Sequence, residues 1–323
     1  MKLGVLTNLL GAKPLDEVLD YLCEKGVEAV EIGCGGFPGK AHADPAVLLN
    51  DERKLHEFQK TIEKHGVVIS GLSAHGNPIH PNAEEAKRFD DDLTGAILLA
   101  EKLGVEVINC FSGCPGDCPD SQYPNWVVCP WPEDFLKILD WQWNERLIPY
   151  WKEKVAFAKQ HGVHKFALEM HPGFCVYNPE TALRLREAVG PEIGVNFDPS
   201  HLFWQGIDPV AAIRTLGEAG AIFHFHAKDT KIDSYNTAVN GVLDTKSYSD
   251  ELHRSWVFRA VGCGNSYQVW NDMVAMLVKV DYTNALSIEH EDSLMSVDEG
   301  LTKAIEFLKK VLIREKLGEM WWA

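Results

Sequence analysis

Short runs rich in Val, Ile and Ala recur along the chain, and each is followed by a longer segment whose apolar positions return at helical spacing. The runs predict eight strands, at 3–9, 29–34, 67–73, 105–110, 165–170, 193–197, 221–226 and 285–290. Helical periodicity falls between them, at 15–24, 51–65, 83–103, 147–161, 179–189, 209–216, 270–278 and 297–314. Several of these helices run into a glycine, at Gly26, Gly66, Gly104 and Gly162, where a left-handed C-cap is easiest to form. Glu24-Lys25-Gly26-Val27, Lys64-His65-Gly66-Val67 and Lys102-Leu103-Gly104-Val105 repeat one solution: charged helix end, glycine stop, buried strand.

Strand and helix in alternation build a parallel sheet covered by helices. Eight copies close into a (β/α)8 TIM barrel, an α/β fold that runs past 250 residues as one unit, so residues 1–323 are expected to form a single domain. An open doubly wound sheet would carry a glycine-rich phosphate loop after its first strand, and Thr7-Asn8-Leu9-Leu10-Gly11 stands there instead. Two connections exceed simple turns, at about 111–135 and 229–267. Both follow strands, which places them at the C-terminal mouth where barrel enzymes keep their active sites. Trp126, Trp131, Trp141 and Trp143 crowd into and just after the first, with Phe111, Tyr123 and Phe135 nearby, as a sugar-stacking lid or, for Trp141 and Trp143, as packing of the next helix.

Charge narrows the functions. Lys plus Arg number 31 against 47 Asp plus Glu, a net charge of −16, and no basic run interrupts it, which argues against a nucleic-acid partner. No apolar stretch is long enough to cross a bilayer, and the N-terminus enters a strand directly, so a cytoplasmic location with no membrane partner is expected. Eight cysteines in such a chain read as reduced thiols, and the spacing of Cys110, Cys114, Cys118 and Cys129 matches no common metal motif. The apolar C-terminal Met320-Trp321-Trp322-Ala323 is expected to dock on the barrel or on a neighbouring subunit of a homo-oligomer.

The chemistry gathers where the last four strands finish: Leu168-Glu169-Met170-His171, Asn196-Phe197-Asp198-Pro199-Ser200-His201, His224-Phe225-His226-Ala227-Lys228-Asp229, and Ile288-Glu289-His290-Glu291. Carboxylates and imidazoles at one height on neighbouring strands converge. Buried together, they repel unless protonated or bound to a cation. Two Glu, one Asp and one His suit a divalent ion such as Mn²⁺, Mg²⁺, Co²⁺ or Zn²⁺. Strand alternation puts His224 and His226 on one face and leaves the choice between them open.

The ordered series Glu169, Asp198-x-x-His201, His226-x-Lys228-Asp229 and Glu289 resembles the xylose-isomerase-like TIM-barrel superfamily, sugar isomerases and epimerases similar to tagatose 3-epimerases, inosose dehydratases and endonuclease IV. The resemblance implies that Glu169, Asp198, His226 and Glu289 hold one divalent metal ion, with His226 chosen over His224 because the pattern is His-x-Lys-Asp. It implies that Glu169 and Glu289 are the catalytic pair and that His201 touches a substrate oxygen. His75, Asn77, His171, Lys228 and Arg259 are further candidate substrate-binding residues, from their places at strand ends or after strand seven.

The expected activity is a metal-dependent sugar or polyol isomerase or epimerase that abstracts a proton next to a carbonyl through a metal-stabilised enediolate. The alternative is a lyase or dehydratase on a keto-sugar, inosose or 3-keto-glycoside, since both begin with the same enolate. A repair endonuclease would need further His and Asp ligands after strand seven, and Asp229-Thr230-Lys231 supplies none.

Overall fold

The helix–glycine–strand junctions set the frame. The helix Glu52–His65 ends at Gly66 (φ 64°) and the helix Ala83–Leu103 at Gly104 (φ 67°). Left-handed backbone lets each glycine N–H reach back to the last turn, to the carbonyls of Glu63 and Ala100. A side chain at such φ is strained, so glycine fixes where each helix stops and the next strand starts. Helix starts are set as firmly: Asp51, Asn82 and Asp208 each accept backbone N–H bonds from the first turn that follows.

The computed structural model describes residues 1–315, 318, 320 and 322. Its strands are β1 (Lys2–Leu6), β2 (Ala29–Gly33), β3 (Val68–Ser73), β4 (Val107–Cys110), β5 (Lys165–Glu169), β6 (Ile193–Phe197), β7 (Ile222–Ala227), β8 (Asp229–Ile232), β9 (Trp256–Arg259) and β10 (Ala285–Ile288). Eight of them close a barrel in the order β1-β10-β7-β6-β5-β4-β3-β2, with every pair parallel. The fold is therefore the (β/α)8 barrel that the alternation predicts.

Several strands stop short of their predicted ends. β1 gives way to a 3₁₀ turn at Thr7–Leu10, and β10 ends at Ile288, one residue before Glu289. The second long connection is not irregular. Asp229–Ile232 and Trp256–Arg259 pair as an antiparallel ribbon, with the helix Ser234–Asn240 between them. The first, after Cys110, carries no regular structure until the helix Asp134–Trp141. It is held by side chains instead: Gln142 donates to the carbonyls of Gly116 (2.9 Å) and Asn125 (2.6 Å), and Trp151 Nε1 to Ser112 (2.9 Å).

The core lies between barrel and helices, where Trp143, Trp151 and Trp270 are fully buried. Trp143 packs there with the Arg184 guanidinium over its ring, whereas Tyr123 and Trp131 stand in solvent. The clustered cysteines do not form a set: Cys110 and Cys114 are buried, Cys118 and Cys129 exposed, and all are free. Among the described residues no helix is long and apolar enough to cross a membrane. Of the C-terminal apolar residues, Trp321 and Ala323 lie outside the described residues.

Two irregularities in the ladder shape the interior. Between Val30 and Glu31 the pairing of β2 with β3 skips Ser70, and between Val195 and Asn196 the pairing of β6 with β7 skips Phe223. A bulge re-aims the residues that follow it. Here those residues are Glu31, His224 and His226, all wholly buried inside the barrel.

Candidate metal centre

Glu169 closes β5, Asp198 follows β6, His226 lies near the end of β7 and Glu289 follows β10, so four neighbouring strands bring these side chains to one height. One ligand atom from each lies within 4.8 Å of the others. Asp198 has two tasks. Its Oδ1 accepts the N–H of Ser200 at 2.8 Å and caps the short helix Pro199–Trp204, which leaves Oδ2 facing the cluster.

The His226 ring has a different environment at each nitrogen. Its Nε2 stands 3.0 and 2.9 Å from the two carboxylate oxygens of Glu31, so that nitrogen carries a proton. Nδ1 faces Glu169 Oε2 at 3.1 Å and Glu289 Oε2 at 3.2 Å, with hydrogen-bond geometry to neither. Asp198 Oδ2 is likewise buried without a hydrogen bond, although Lys228 Nζ lies at 3.0 Å and His201 Nε2 at 3.2 Å. Burial disfavours a charged His226, but Glu31, Glu289 and Glu169 overcome it and push its pKa well up. A second ring proton would find no acceptor in line, whereas a cation needs only lone pairs converging on it. The donor set of one neutral imidazole nitrogen and three carboxylates fits a divalent metal ion.

Glu31 is the residue that strand-end reasoning missed. It accepts from Ser73 Oγ, from Asn109 Nδ2 at 2.8 Å and from Ser287 Oγ at 2.7 Å, besides His226. Burial opposes its ionisation, but the His226 and His224 charges and these hydrogen bonds hold the carboxyl far below the usual range. Such a carboxylate fixes the tautomer and orientation of His226. The signal in the sequence is a Glu within Ala29-Val30-Glu31-Ile32-Gly33, a strand with no solvent-facing side. Glu31, His224 and His226 also lie close enough to ligate an ion, yet Glu31 is already saturated by donors. His224 is engaged too, with Asn196 Oδ1 and Ser70 Oγ both at 3.1 Å, and burial lowers its pKa to about 4.

The other candidates divide. His201 Nε2 bonds Glu169 Oε1 at 3.0 Å; burial lowers its pKa, but Asp198 raises it more, to about 9. His75 Nε2 lies 3.1 Å from Glu169 Oε2. His171 packs against His201 with ring centroids 4.1 Å apart, and burial, aided by the His201 charge, pulls its pKa down to about 3. Lys228 is buried on the carboxylates themselves, 2.7 Å from Glu289 Oε2 and 3.3 Å from Glu291 Oε2.

Asn77 and Arg259 are placed elsewhere. Both ends of the Asn77 amide bind Cys114, Nδ2 donating to its carbonyl at 2.7 Å and Oδ1 accepting its N–H at 3.0 Å, which pins the loop after β4. Arg259 Nε bonds Asp292 at 2.9 Å. Asp229 is an anchor as well, its carboxylate gathering the N–H groups of Gly262, Gly264 and Asn265.

Above the cluster opens a cavity of about 360 Å³. Glu169, Glu289, Glu291, Lys228, His75 and His171 supply its polar wall, and Phe37, Phe111 and Phe174 its apolar one. Phe111 and Phe174 stack with centroids 4.2 Å apart. A polar floor under aromatic walls suits a small hydroxylated molecule whose reacting part is kept from water.

The sequence pattern of the xylose isomerase-like TIM barrel matches residues 19–311. A protein of Bacillus subtilis (strain 168), described as uncharacterised protein YfiH, is 40% identical over 314 residues, which cover 97% of this chain and 99% of that one. Among solved structures, the IolI protein with a bound zinc atom superposes with a TM-score of 0.64 at 19% identity, covering 97% of this chain and 98% of the other. A D-tagatose 3-epimerase-like protein gives 0.61 at 21% identity, covering 96% and 98%. These last two likenesses are in fold. The matched pattern spans most of the chain and leads to one conclusion: the chain belongs to the xylose isomerase-like TIM barrel family.

Proposed function

We propose that this protein is a divalent-metal-dependent isomerase or epimerase of a sugar or polyol, acting by proton abstraction next to a carbonyl. The observation that carries this reading is the pair of unsatisfied buried atoms, His226 Nδ1 and Asp198 Oδ2, set among the Glu169 and Glu289 oxygens on the floor of a sugar-sized cavity. Glu169, Asp198, His226 and Glu289 would hold the ion, which when bound supplies an electrophile that acidifies the C–H between two oxygens.

Glu169 and Glu289 both line the cavity, from β5 and from just past β10. One carboxylate takes the proton and the other returns it to the opposite face. His201 holds Glu169 in place, and His171, neutral at ordinary pH, offers the substrate hydroxyls a hydrogen-bond partner that brings no charge. Phe37, Phe111 and Phe174 keep water from the carbanion.

A second reading is elimination, in which the Lys228 ammonium, 2.7 Å from Glu289 Oε2, hands a proton to a departing oxygen instead of leaving Glu289 to reprotonate carbon. Burial works against the charge, but Asp198, Glu289 and Glu291 push the Lys228 pKa well up, so this route needs a substrate that displaces those carboxylates. The deciding experiment is metal analysis of the purified protein, followed by incubation with ketoses, inososes and 3-keto-glycosides in D₂O. Deuterium entering at carbon supports isomerisation, and release of water or aglycone supports elimination. A protein that neither retains nor requires a divalent ion overturns both.

A further inference from the structure

Beside the cavity over the cluster lies a second one of about 410 Å³, to which the chemistry above gives no task. Its walls come from three places: Trp126 from the loop after β4, Trp204 from the end of the short helix behind Asp198, and Tyr248 and Trp256 from the insertion after β7. The Trp204 and Trp256 indoles stack almost parallel, with centroids 4.6 Å apart and planes at 5°. The buried Arg254 stiffens this wall, its guanidinium lying over the rings of Tyr248 (4.3 Å) and Trp256 (4.8 Å) and its Nε bonding the Trp256 carbonyl at 3.1 Å. The platform is built before any ligand arrives.

An aromatic wall with polar groups on its lining points to the chemical class of the occupant. Trp256 Nε1 donates to the Val242 carbonyl at 3.0 Å, but the buried Nε1 atoms of Trp126 and Trp204 have no acceptor. A buried N–H without a partner is unfavourable, and an apolar occupant would leave both that way. A sugar ring suits such a wall, since its C–H face stacks on an aromatic ring while its hydroxyls bond polar groups such as Asp244 and Thr245 on the same lining. His171 lines both cavities, and His201 lines the second while bonding Glu169 at the first. Each volume is near the lower end of the range of roughly 300–1,000 Å³ found for small-molecule pockets. Two such spaces side by side suit two small rings.

We infer that the substrate is a glycoside of two sugar rings. The carbonyl-bearing ring occupies the cavity over Glu169 and Glu289, the second ring lies against Trp126, Trp204, Tyr248 and Trp256, and the bond that joins them passes His171. The inference rests on the carbohydrate reading above and narrows its substrates to glycosides of two rings, with a place for the second ring.

The test is binding of cellobiose, maltose and lactose to the intact protein, by calorimetry and tryptophan fluorescence, against D-glucose, D-galactose and phenyl β-D-glucoside. At least one disaccharide is expected to bind about tenfold more tightly than either monosaccharide. Trp204→Phe keeps an aromatic ring and removes the N–H, and Tyr248→Ala removes a ring that is 53% exposed, with a melting curve for each to check the fold. Each is expected to bring the ratio of disaccharide to monosaccharide affinity to within about twofold of one. No disaccharide preference, a preference that survives both substitutions, or tight binding by phenyl β-D-glucoside alone would each overturn the inference, the last by assigning the cavity to an aryl group. Binding is read without turnover, so the two readings fail separately. Disaccharide preference without deuterium exchange defeats the reaction alone, and exchange without preference defeats the second ring alone.

Discussion

At the N-terminal end of the barrel a cavity of about 440 Å³ is framed by Lys2, Glu106, Lys165, Asp281 and Asn284, larger than the one of about 360 Å³ above the carboxylate cluster. Its polar groups are at rest. Asn284 Nδ2 donates to the carbonyls of Ser70 (3.2 Å) and Phe223 (3.1 Å), Tyr282 to Ala285 at 2.6 Å, and Lys165 pairs in solvent with Glu106 at 2.6 Å. At the mouth the opposite holds: buried carboxylates crowd together, and His226 Nδ1 and Asp198 Oδ2 have no hydrogen bond. Size does not set the two ends of this barrel apart. Charge that the protein alone leaves unbalanced does, and the loops that follow the strands are what carry it.

Substitutions at the two ends are expected to differ in kind. The largest effect belongs to Glu169→Gln, which removes a proposed base and is expected to lower solvent deuterium exchange by about 10²–10⁴-fold, with bound metal measured alongside. Exchange at the wild-type rate would strip Glu169 of that role. Next is the ion itself. Chelation followed by dialysis is expected to destabilise the protein by about 2.7 kcal/mol relative to protein held at a hundred times the metal dissociation constant, read as a lowered melting temperature that Mn²⁺ or Zn²⁺ restores. A melting curve indifferent to metal would make the mouth as quiet as the other end.

Glu31→Gln is third. It leaves the ligands in place but weakens the partner of His226 Nε2, and a loss of about 10–100-fold in metal affinity is expected by titration. Unchanged affinity would show Glu31 to be packing only. The smallest change is Lys165→Ala at the N-terminal end. The Lys165–Glu106 pair is well exposed, so stability is expected to move by less than about 1 kcal/mol, with no change in deuterium exchange. A large loss of exchange there would break the contrast between the ends.

The convergence of Glu169, Asp198, His226 and Glu289 was legible because each sits at or next to the end of a strand, and strands in a closed parallel barrel end at a common height. Glu31 was hidden because it lies in mid-strand, where apolar patterning sees one polar interruption and nothing of the four side chains that converge on it. Asn77 and Arg259 show the converse. Their positions suit a pocket, but Asn77 clamps Cys114 and Arg259 pairs with Asp292, partners that no local spacing reveals. The insertion after β7 hid its ribbon behind a polar, glycine-containing stretch, and the pairing of Asp229–Ile232 with Trp256–Arg259 needed the two segments to meet. Trp204 and Trp256 form one platform although they are distant in sequence.

Alternation of apolar runs with helical periods, and glycines at the helix ends, determined the barrel and the end of it where chemistry belongs. These are local properties, written in consecutive residues. Which histidine meets the carboxylates was decided only in three dimensions: His224 and His226 share a face, but the ladder skips Phe223, and Glu31 holds His226 with Nδ1 turned to Glu169 and Glu289. Which atoms stay without a hydrogen bond was settled there too, because that depends on every element packed around them.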